Sequence, residues 1–228
     1  MSIVVPLGHE RRNIHWPWLT LAIILASTAI AVICAAGGDT GRAELISRWG
    51  MSPARLDALW ARPWPEWFGA DGMTMVTTQF VHAGWLHLLG NMAYLWVFGM
   101  PVERRYGAGL LLLLFVVLGG AANMAAAYDA PNAATPVIGA SGGVSAIIGA
   151  YLLLLTGQRI GLYLPLGFYL QFVRVPALLV IGSWFLLQMI YTVYGPLSGA
   201  VAWRVHITGF AGGMLLAIAL LVLRWPRR

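Results

Sequence analysis

Six runs of apolar residues, each long enough to cross a bilayer as a helix, constrain this chain more than any other feature. A hydrocarbon core of roughly 30 Å takes about 20 residues of helix. The six runs cover residues 16–37, 79–100, 107–128, 138–157, 174–195 and 203–224. We therefore expect an all-α fold, a polytopic membrane bundle of six transmembrane helices.

Composition supports the membrane assignment and excludes several other classes. Of the 228 residues, 60% are hydrophobic and only 10% are charged, whereas a soluble domain carries about 25% charged residues. A single cysteine, Cys34, excludes an intramolecular disulfide and argues against a metal cluster. The net charge of +6 comes from arginines beside the apolar runs, not from a basic stripe. We expect no nucleic-acid partner, no metal and no cofactor.

The arginines also predict the topology. Six spans put both termini on one side, and the positive-inside rule assigns that side to the cytoplasm. The supporting arginines flank the spans on that side: Arg11, Arg12, Arg104, Arg105, Arg159, Arg174, Arg224, Arg227 and Arg228. The expected organisation is a cytoplasmic segment 1–15, a membrane domain 16–224 and a cytoplasmic tail 225–228. The all-arginine basicity and the short plan suggest a bacterial plasma membrane.

Two further expectations concern the outer side and the first span. The long loop 38–78 carries Trp49, Trp60, Trp64 and Trp67, and tryptophan prefers the headgroup level. Part of this loop is therefore expected to lie in the membrane interface. The first apolar run lacks a clear signal-peptide cleavage site, so we interpret it as a span.

Polar residues inside apolar spans are costly and usually functional. The ionisable residues well inside the spans of this chain are three histidines, and two neutral polar residues are notable beside them: His82, His87, His206, Asn91 and Ser141. No Asp or Glu lies well inside a predicted span, which argues against a proton-coupled transporter. The spans that carry His87, Ser141 and His206 all run inward. Each residue lies in the first half of its span, so the three share a depth of roughly 5 to 15 Å at 1.5 Å per residue.

Ordinary structural roles compete with a functional one. A lone serine in a membrane helix most often bonds a carbonyl of its own helix, and a histidine near an interface often only caps. We interpret His82 as a structural hydrogen-bonding residue. His87 and Asn91, four residues apart, project from one helix face, and in a dry bundle their donors need partners.

Serine chemistry would give these residues a common purpose. Ser141 can attack a carbonyl if a base lies within hydrogen-bond reach, and His206 is the candidate base. A developing oxyanion also needs donors. The candidates are the backbone amide of Ser141 between the flexible Gly139 and Gly142, and the side chains of His87 and Asn91. Without an acidic third member, the pair would act as a dyad.

Small residues predict how the two helices meet. They recur at four-residue spacing on both predicted spans: Gly142, Ala146 and Ala150 on the fourth, and Gly209 and Gly213 on the sixth. Small faces allow transmembrane backbones to approach closely. Because Gly209 and Gly213 share a face with His206, packing that face onto the fourth span turns His206 toward Ser141.

Three motifs in this order resemble those of the rhomboid intramembrane serine proteases, in the six-span bacterial form. They are "HAGWLHLLGN", "GASG" and "HITGFAGG", and the similarity covers about residues 76–224. The resemblance implies Ser141 as nucleophile, His206 as base, and His87 and Asn91 as oxyanion donors. It also implies hydrolysis of a peptide bond in or near a transmembrane helix of a membrane-protein substrate, without metal or cofactor.

The resemblance implies lateral substrate access, with the fifth span as the candidate gate. This chain departs from the family pattern at two places. In the first outer loop the family often has a Trp-Arg pair, where this chain has Met73 and Thr74. Some members carry an aromatic residue four positions after the nucleophile, where it stacks on the base, but this chain has Ser145. Two other functions stay open: a catalytically silent rhomboid-like protein that binds or escorts membrane clients, and a transporter.

Overall fold

The computed structural model describes residues 16–128, 136–166, 169–194 and 198–223. The predicted cytoplasmic segments 1–15 and 225–228, with their arginines and Arg224, lie outside the described residues. The topology that rests on them therefore stays a prediction.

Helices make up most of the described chain. In order, the elements are α1 (Trp18–Ala36), α2 (Gly38–Trp49), α3 (Pro53–Trp60), α4 (Ala70–Thr77), α5 (Trp85–Tyr94), α6 (Met100–Tyr106), α7 (Ala108–Leu112), α8 (Gly119–Tyr128), α9 (Ser141–Leu154), β1 (Arg159–Leu166), β2 (Tyr169–Pro176), α10 (Ala177–Tyr194) and α11 (Ser198–Val222). Short 3-10 helices occupy Trp64–Phe68 and Thr78–Phe80. One π-helical turn joins α5 to α6 and another joins α7 to α8, at Leu95–Gly99 and Leu113–Leu118.

Three helices among the described residues are both long and apolar enough to cross a bilayer. They are Trp18–Ala36, Ala108–Tyr128 and Trp203–Val222. Two shorter apolar helices, Ser141–Leu154 and Ala177–Ile190, accompany them. The helical membrane architecture expected from the sequence is therefore confirmed, and the count of six spans stays a prediction.

Helix α9 forms the centre of the bundle. Residues 142–151 are buried without exception, because glycine and alanine on this helix let its neighbours pack against its backbone. The surrounding core is built from large apolar side chains of the adjoining helices, among them Leu95, Phe98, Leu111, Leu114 and Phe115. Ser141, the first residue of α9, is the partly exposed residue that precedes this buried stretch.

A β-hairpin corrects the all-α expectation. Strands β1 and β2 pair antiparallel from Arg159 opposite Pro176 to Leu166 opposite Tyr169. Aromatic and β-branched residues are frequent in β2, at Tyr169, Phe172, Val173 and Val175, which favours strand over helix. The predicted fourth and fifth spans, 138–157 and 174–195, are correspondingly shortened to α9 and α10, and Arg174 lies in β2 instead of at a helix end.

The segment 38–78 is compactly folded instead of forming an open loop. Asp71 lies 3.5 Å from Arg62 and 3.9 Å from Arg55, and the Trp67 indole N–H donates to the Arg62 carbonyl at 3.0 Å. Several aromatic side chains of this segment stay exposed: Trp60, Trp64 and Phe68. Exposed aromatic rings suit a membrane interface, and that placement stays a prediction.

Candidate active site

Ser141 begins helix α9 and is partly exposed, in contrast to the ten buried residues that follow it. The first amides of a helix lack intrahelical partners, and the helix dipole adds partial positive charge at this end. A hydroxyl at this position therefore lies beside donors suited to a negatively charged oxygen.

Gly139 shapes the approach to Ser141. Its φ is +122°, a conformation that side chains disfavour. A Cβ at Gly139 would lie 2.8 Å from Cε1 and 2.9 Å from Nε2 of His87, and 3.9 Å from the Ser141 hydroxyl oxygen. The His87 imidazole therefore lies against the bare Cα of Gly139, next to Ser141. The backbone amide of Gly139 donates to the Thr78 carbonyl at 2.9 Å, which fixes this turn.

A hydrogen bond to the His87 ring determines which of its nitrogens carries the proton. The backbone N–H of Ala83 donates to His87 Nδ1 at 3.4 Å, so in the neutral ring the proton sits on Nε2. Nε2 is also the nitrogen that faces Gly139. Asn91 is buried, and its side-chain N–H donates to the His87 carbonyl at 2.9 Å. Because an amide carries two N–H groups, one of them is left for a ligand.

His82 lies outside the helix in which the sequence analysis placed it. The predicted second span began at residue 79, but α5 begins at Trp85. The Nδ1–H of His82 donates to the Phe80 carbonyl at 3.3 Å, and its Nε2 accepts from the Ala140 backbone at 3.5 Å. Both ring nitrogens are therefore used in tying the segment before α5 to the residue before Ser141.

His206 lies on α11 and is buried, with 8% of its surface exposed. Its ring centroid lies 5.6 Å from that of Trp184 on α10. Within the described part of the chain, its Nδ1 is buried and has no hydrogen-bond partner.

Glycines bring α11 into backbone contact with α9. A Cβ at Gly209 would collide with the Gly142 carbonyl, and one at Gly213 would collide with the Ala146 carbonyl. This close approach was predicted from the spacing of small residues and is confirmed. The same contacts show that the two helices run parallel. A Cβ at Gly142 would also lie 3.2 Å from the Val205 side chain, so the part of α11 that carries His206 lies beside the start of α9.

Two buried residues were missed by the sequence analysis. Glu103 is 6% exposed and lies near the end of the continuous helix 85–106, three residues beyond the predicted second span. Its carboxylate accepts from the backbone amides of Leu19 and Thr20 at 2.9 and 2.8 Å, and from the Thr20 hydroxyl at 2.6 Å. These bonds cap the start of α1. The only signal was one acid beside a pair of arginines, which resembles an ordinary helix end.

Trp184 is the second residue that was missed. In the sequence it is one of many large apolar residues of the fifth run, and nothing there separates a ring that faces lipid from a ring that faces a histidine. In the structure it is buried to 8% exposure, while other residues of α10 are exposed: Leu178, Leu179, Leu186, Leu187, Met189 and Ile190.

Together these side chains form a constellation suited to attack on a carbonyl. A partly exposed hydroxyl, a helix N-terminus and an oriented imidazole N–H meet at Gly139. A second imidazole, that of His206, lies on α11 next to Val205, whose side chain lies against Gly142. The arrangement can therefore provide a nucleophile, a base and anion-stabilising donors from four segments of the chain.

Comparison with known proteins identifies the family of this chain. Residues 70–223 match the Rhomboid domain. The chain is 26% identical to RHOMBOID-like protein 6, mitochondrial, of Arabidopsis thaliana, over 63% of this chain and 53% of that protein. It is 25% identical to Rhomboid protease GlpG of Enterobacter sp., over 88% of this chain and 62% of that protein. A 34% identity to Rhomboid protease GluP of Bacillus subtilis covers 37% of this chain and 16% of that protein.

The chain spans between about a sixth and two thirds of the length of these three relatives. The domain match covers more than half of the chain. The chain therefore belongs to the rhomboid family of helical integral membrane proteins.

Proposed function

We propose that this chain is an intramembrane serine endopeptidase that hydrolyses peptide bonds in or near transmembrane helices of membrane proteins. Ser141 is its nucleophile and His206 its general base. The observation that carries the proposal is the parallel packing of α11 on α9, with Gly209 against Gly142 and Gly213 against Ala146. Val205, the residue before His206, has its side chain 3.2 Å from where a Gly142 Cβ would lie, so this packing supports a position of His206 near Ser141.

The reaction follows from these positions. The Ser141 hydroxyl attacks the scissile carbonyl carbon while His206 accepts its proton. The oxyanion receives hydrogen bonds from the Ser141 amide, His87 Nε2–H and the free Asn91 N–H. The carbon–nitrogen bond then breaks as His206 returns the proton to the leaving amine. Water, deprotonated by His206, hydrolyses the resulting ester and restores Ser141.

The substrate must expose a carbonyl that a helix normally hides in its i to i−4 hydrogen bonds. We expect substrates with a weak helix near the outer end of their span, containing glycine or proline. The proposed architecture has six spans in a membrane domain 16–224, with the segments 1–15 and 225–228 in the cytoplasm of a bacterial cell. The proposed gate for lateral access is the fifth span, which contains α10.

The test is cleavage of a fluorescent transmembrane-helix substrate by the purified chain in detergent. Ser141→Ala and His206→Ala should each abolish cleavage and labelling of Ser141 by a fluorophosphonate probe. Ser145→Ala is the matched control, because Ser145 is a buried serine one turn further along α9. It should leave both signals nearly unchanged.

Two outcomes would overturn the proposal. Cleavage that persists in folded Ser141→Ala protein would remove Ser141 as nucleophile. Neither cleavage nor labelling by the wild-type chain would favour a catalytically silent protein that binds or escorts membrane clients. A pull-down of single-span clients by wild type and Ser141→Ala alike would then identify that function.

A further inference from the structure

We propose that Trp184 on α10 is a positioning residue that holds the His206 imidazole in its working orientation. This proposal rests on the proposed function, since it assigns a role in the same dyad. It goes beyond that function by naming what replaces an acidic partner of the base.

The need for such a residue follows from the surroundings of His206. In a triad an acid orients the imidazole and stabilises the imidazolium that forms. In the described part of this chain, His206 Nδ1 is buried and without a hydrogen-bond partner. The orientation of the ring must therefore come from packing.

Helix α9 does not supply a ring for this packing. Ser145, one turn after Ser141, is the α9 side chain that faces Gly209 of α11, with its Cβ 3.2 Å from where a Gly209 Cβ would lie. A serine offers neither an aromatic face nor enough volume to fix an imidazole. The aromatic surface comes instead from α10, where the Trp184 ring centroid lies 5.6 Å from that of His206 at an interplanar angle of 50°.

Trp184 is itself held from two sides. Its ring centroid lies 6.1 Å from that of Tyr94 on α5, three residues after Asn91. Its neighbour Phe185 contacts Trp203 at 5.0 Å and Phe210 at 5.7 Å between centroids. Trp203 and Phe210 flank His206 on α11. Phe185 therefore carries much of the packing between α10 and α11, while Trp184 carries the contact with the imidazole.

The contact also has an electrostatic consequence. A cation within about 6 Å of the face of a tryptophan ring is attracted by the ring quadrupole. When His206 accepts the Ser141 proton, its ring becomes a cation beside Trp184. The indole therefore stabilises the same charged form that an acid would stabilise in a triad.

The neighbouring residue Phe185 makes a matched experiment possible. We would compare wild type with Trp184→Leu, Trp184→Phe and Phe185→Leu on a small soluble ester, which does not depend on lateral access. Trp184→Leu should lower kcat about ten- to a hundredfold with KM nearly unchanged, since small misplacements of a catalytic group cost this much. The rate of Ser141 labelling by a fluorophosphonate should fall in parallel. Trp184→Phe, which keeps a ring, should restore most of the rate.

Phe185→Leu removes packing between the same two helices and one ring neighbour of Trp184, at 6.1 Å between centroids, but it keeps the indole that contacts the imidazole. It should therefore keep kcat within about threefold of wild type. Equal losses in Trp184→Leu and Phe185→Leu, or no rescue by Trp184→Phe, would overturn the proposal. If Trp184→Leu does not fold, Trp184→Met, which fills the space with a flexible apolar chain, takes its place in the comparison. An inactive, unlabelled wild type would instead contradict the proposed function itself.

Discussion

Gly213 on α11 lies against the backbone carbonyl of Ala146 on α9, at a separation that leaves no room for a Cβ. The next residue back, Gly212, faces a different environment, where a Cβ would lie 3.8 Å from the methyl groups of Leu118. Two adjacent glycines therefore differ sharply in what they tolerate. Substitutions at these two positions therefore distinguish the effect of the helix contact from the general effect of replacing a glycine.

Gly213→Ala should destabilise the protein by about 1 to 3 kcal/mol, because the added methyl forces the two helices apart. Gly212→Ala should be neutral or stabilising by up to about 1 kcal/mol, since alanine is the better helix former. Thermal unfolding of both variants in the same detergent measures the difference. Equal stability of the two variants would contradict the backbone contact between α9 and α11.

Gly139→Ala should impair the site more than the fold. Alanine at φ +122° costs about 1 to 3 kcal/mol of strain, and its Cβ would meet the His87 ring. Displacement of that ring should lower kcat on a soluble ester about ten- to a hundredfold. Gly90→Ala is the control on α5, because a Cβ at Gly90 meets nothing within 4 Å. Wild-type turnover by folded Gly139→Ala protein would remove His87 from the reaction.

The polar residues of the site could be predicted from the sequence, because polar groups are costly in an apolar helix and are therefore rare there. The facing glycines, Gly209 and Gly213, could be predicted for another reason, since a membrane helix shows its packing face as a stripe of small residues. The bundle also followed, because backbone groups in lipid must be satisfied within helices.

Other features could not be predicted from periodicity. Residues 158–173 lie between two predicted spans, and periodicity does not distinguish a short apolar strand from other structure there. The two strands that form in this part of the chain are adjacent in sequence. Glu103 gains its importance from amides of α1 that are more than 80 residues away. The position of Trp184 likewise depends on which neighbour its ring contacts. Both Glu103 and Trp184 are set by tertiary contacts that the local sequence does not carry.

Glu103→Ala should destabilise the protein by about 1.5 to 3 kcal/mol, the range for losing hydrogen bonds to a charged group. The start of α1 would lose the acceptor for two backbone amides and one hydroxyl. Glu103→Gln keeps one carbonyl oxygen and should lose less. Glu66→Gln is the control at an exposed acid. Thermal unfolding that ranks Glu103→Ala with Glu66→Gln would show that the cap contributes little.

Joining α5 to α10 should separate two kinds of substrate, because only a membrane helix has to pass between these helices. The Tyr94–Trp184 contact marks where they meet. In a Cys34→Ala background, Tyr94→Cys and Gln188→Cys can be bridged with a short bismaleimide. Cleavage of a transmembrane substrate should then fall at least about tenfold, while hydrolysis of a soluble ester stays near its unbridged rate.

Treatment with N-ethylmaleimide controls for modification without a bridge. If the bridged protein cleaves both substrates as fast as the N-ethylmaleimide-treated protein, α10 is not the gate. Equal loss on both substrates would indicate instead that the bridge distorts the site, because the ester needs no gap between the helices.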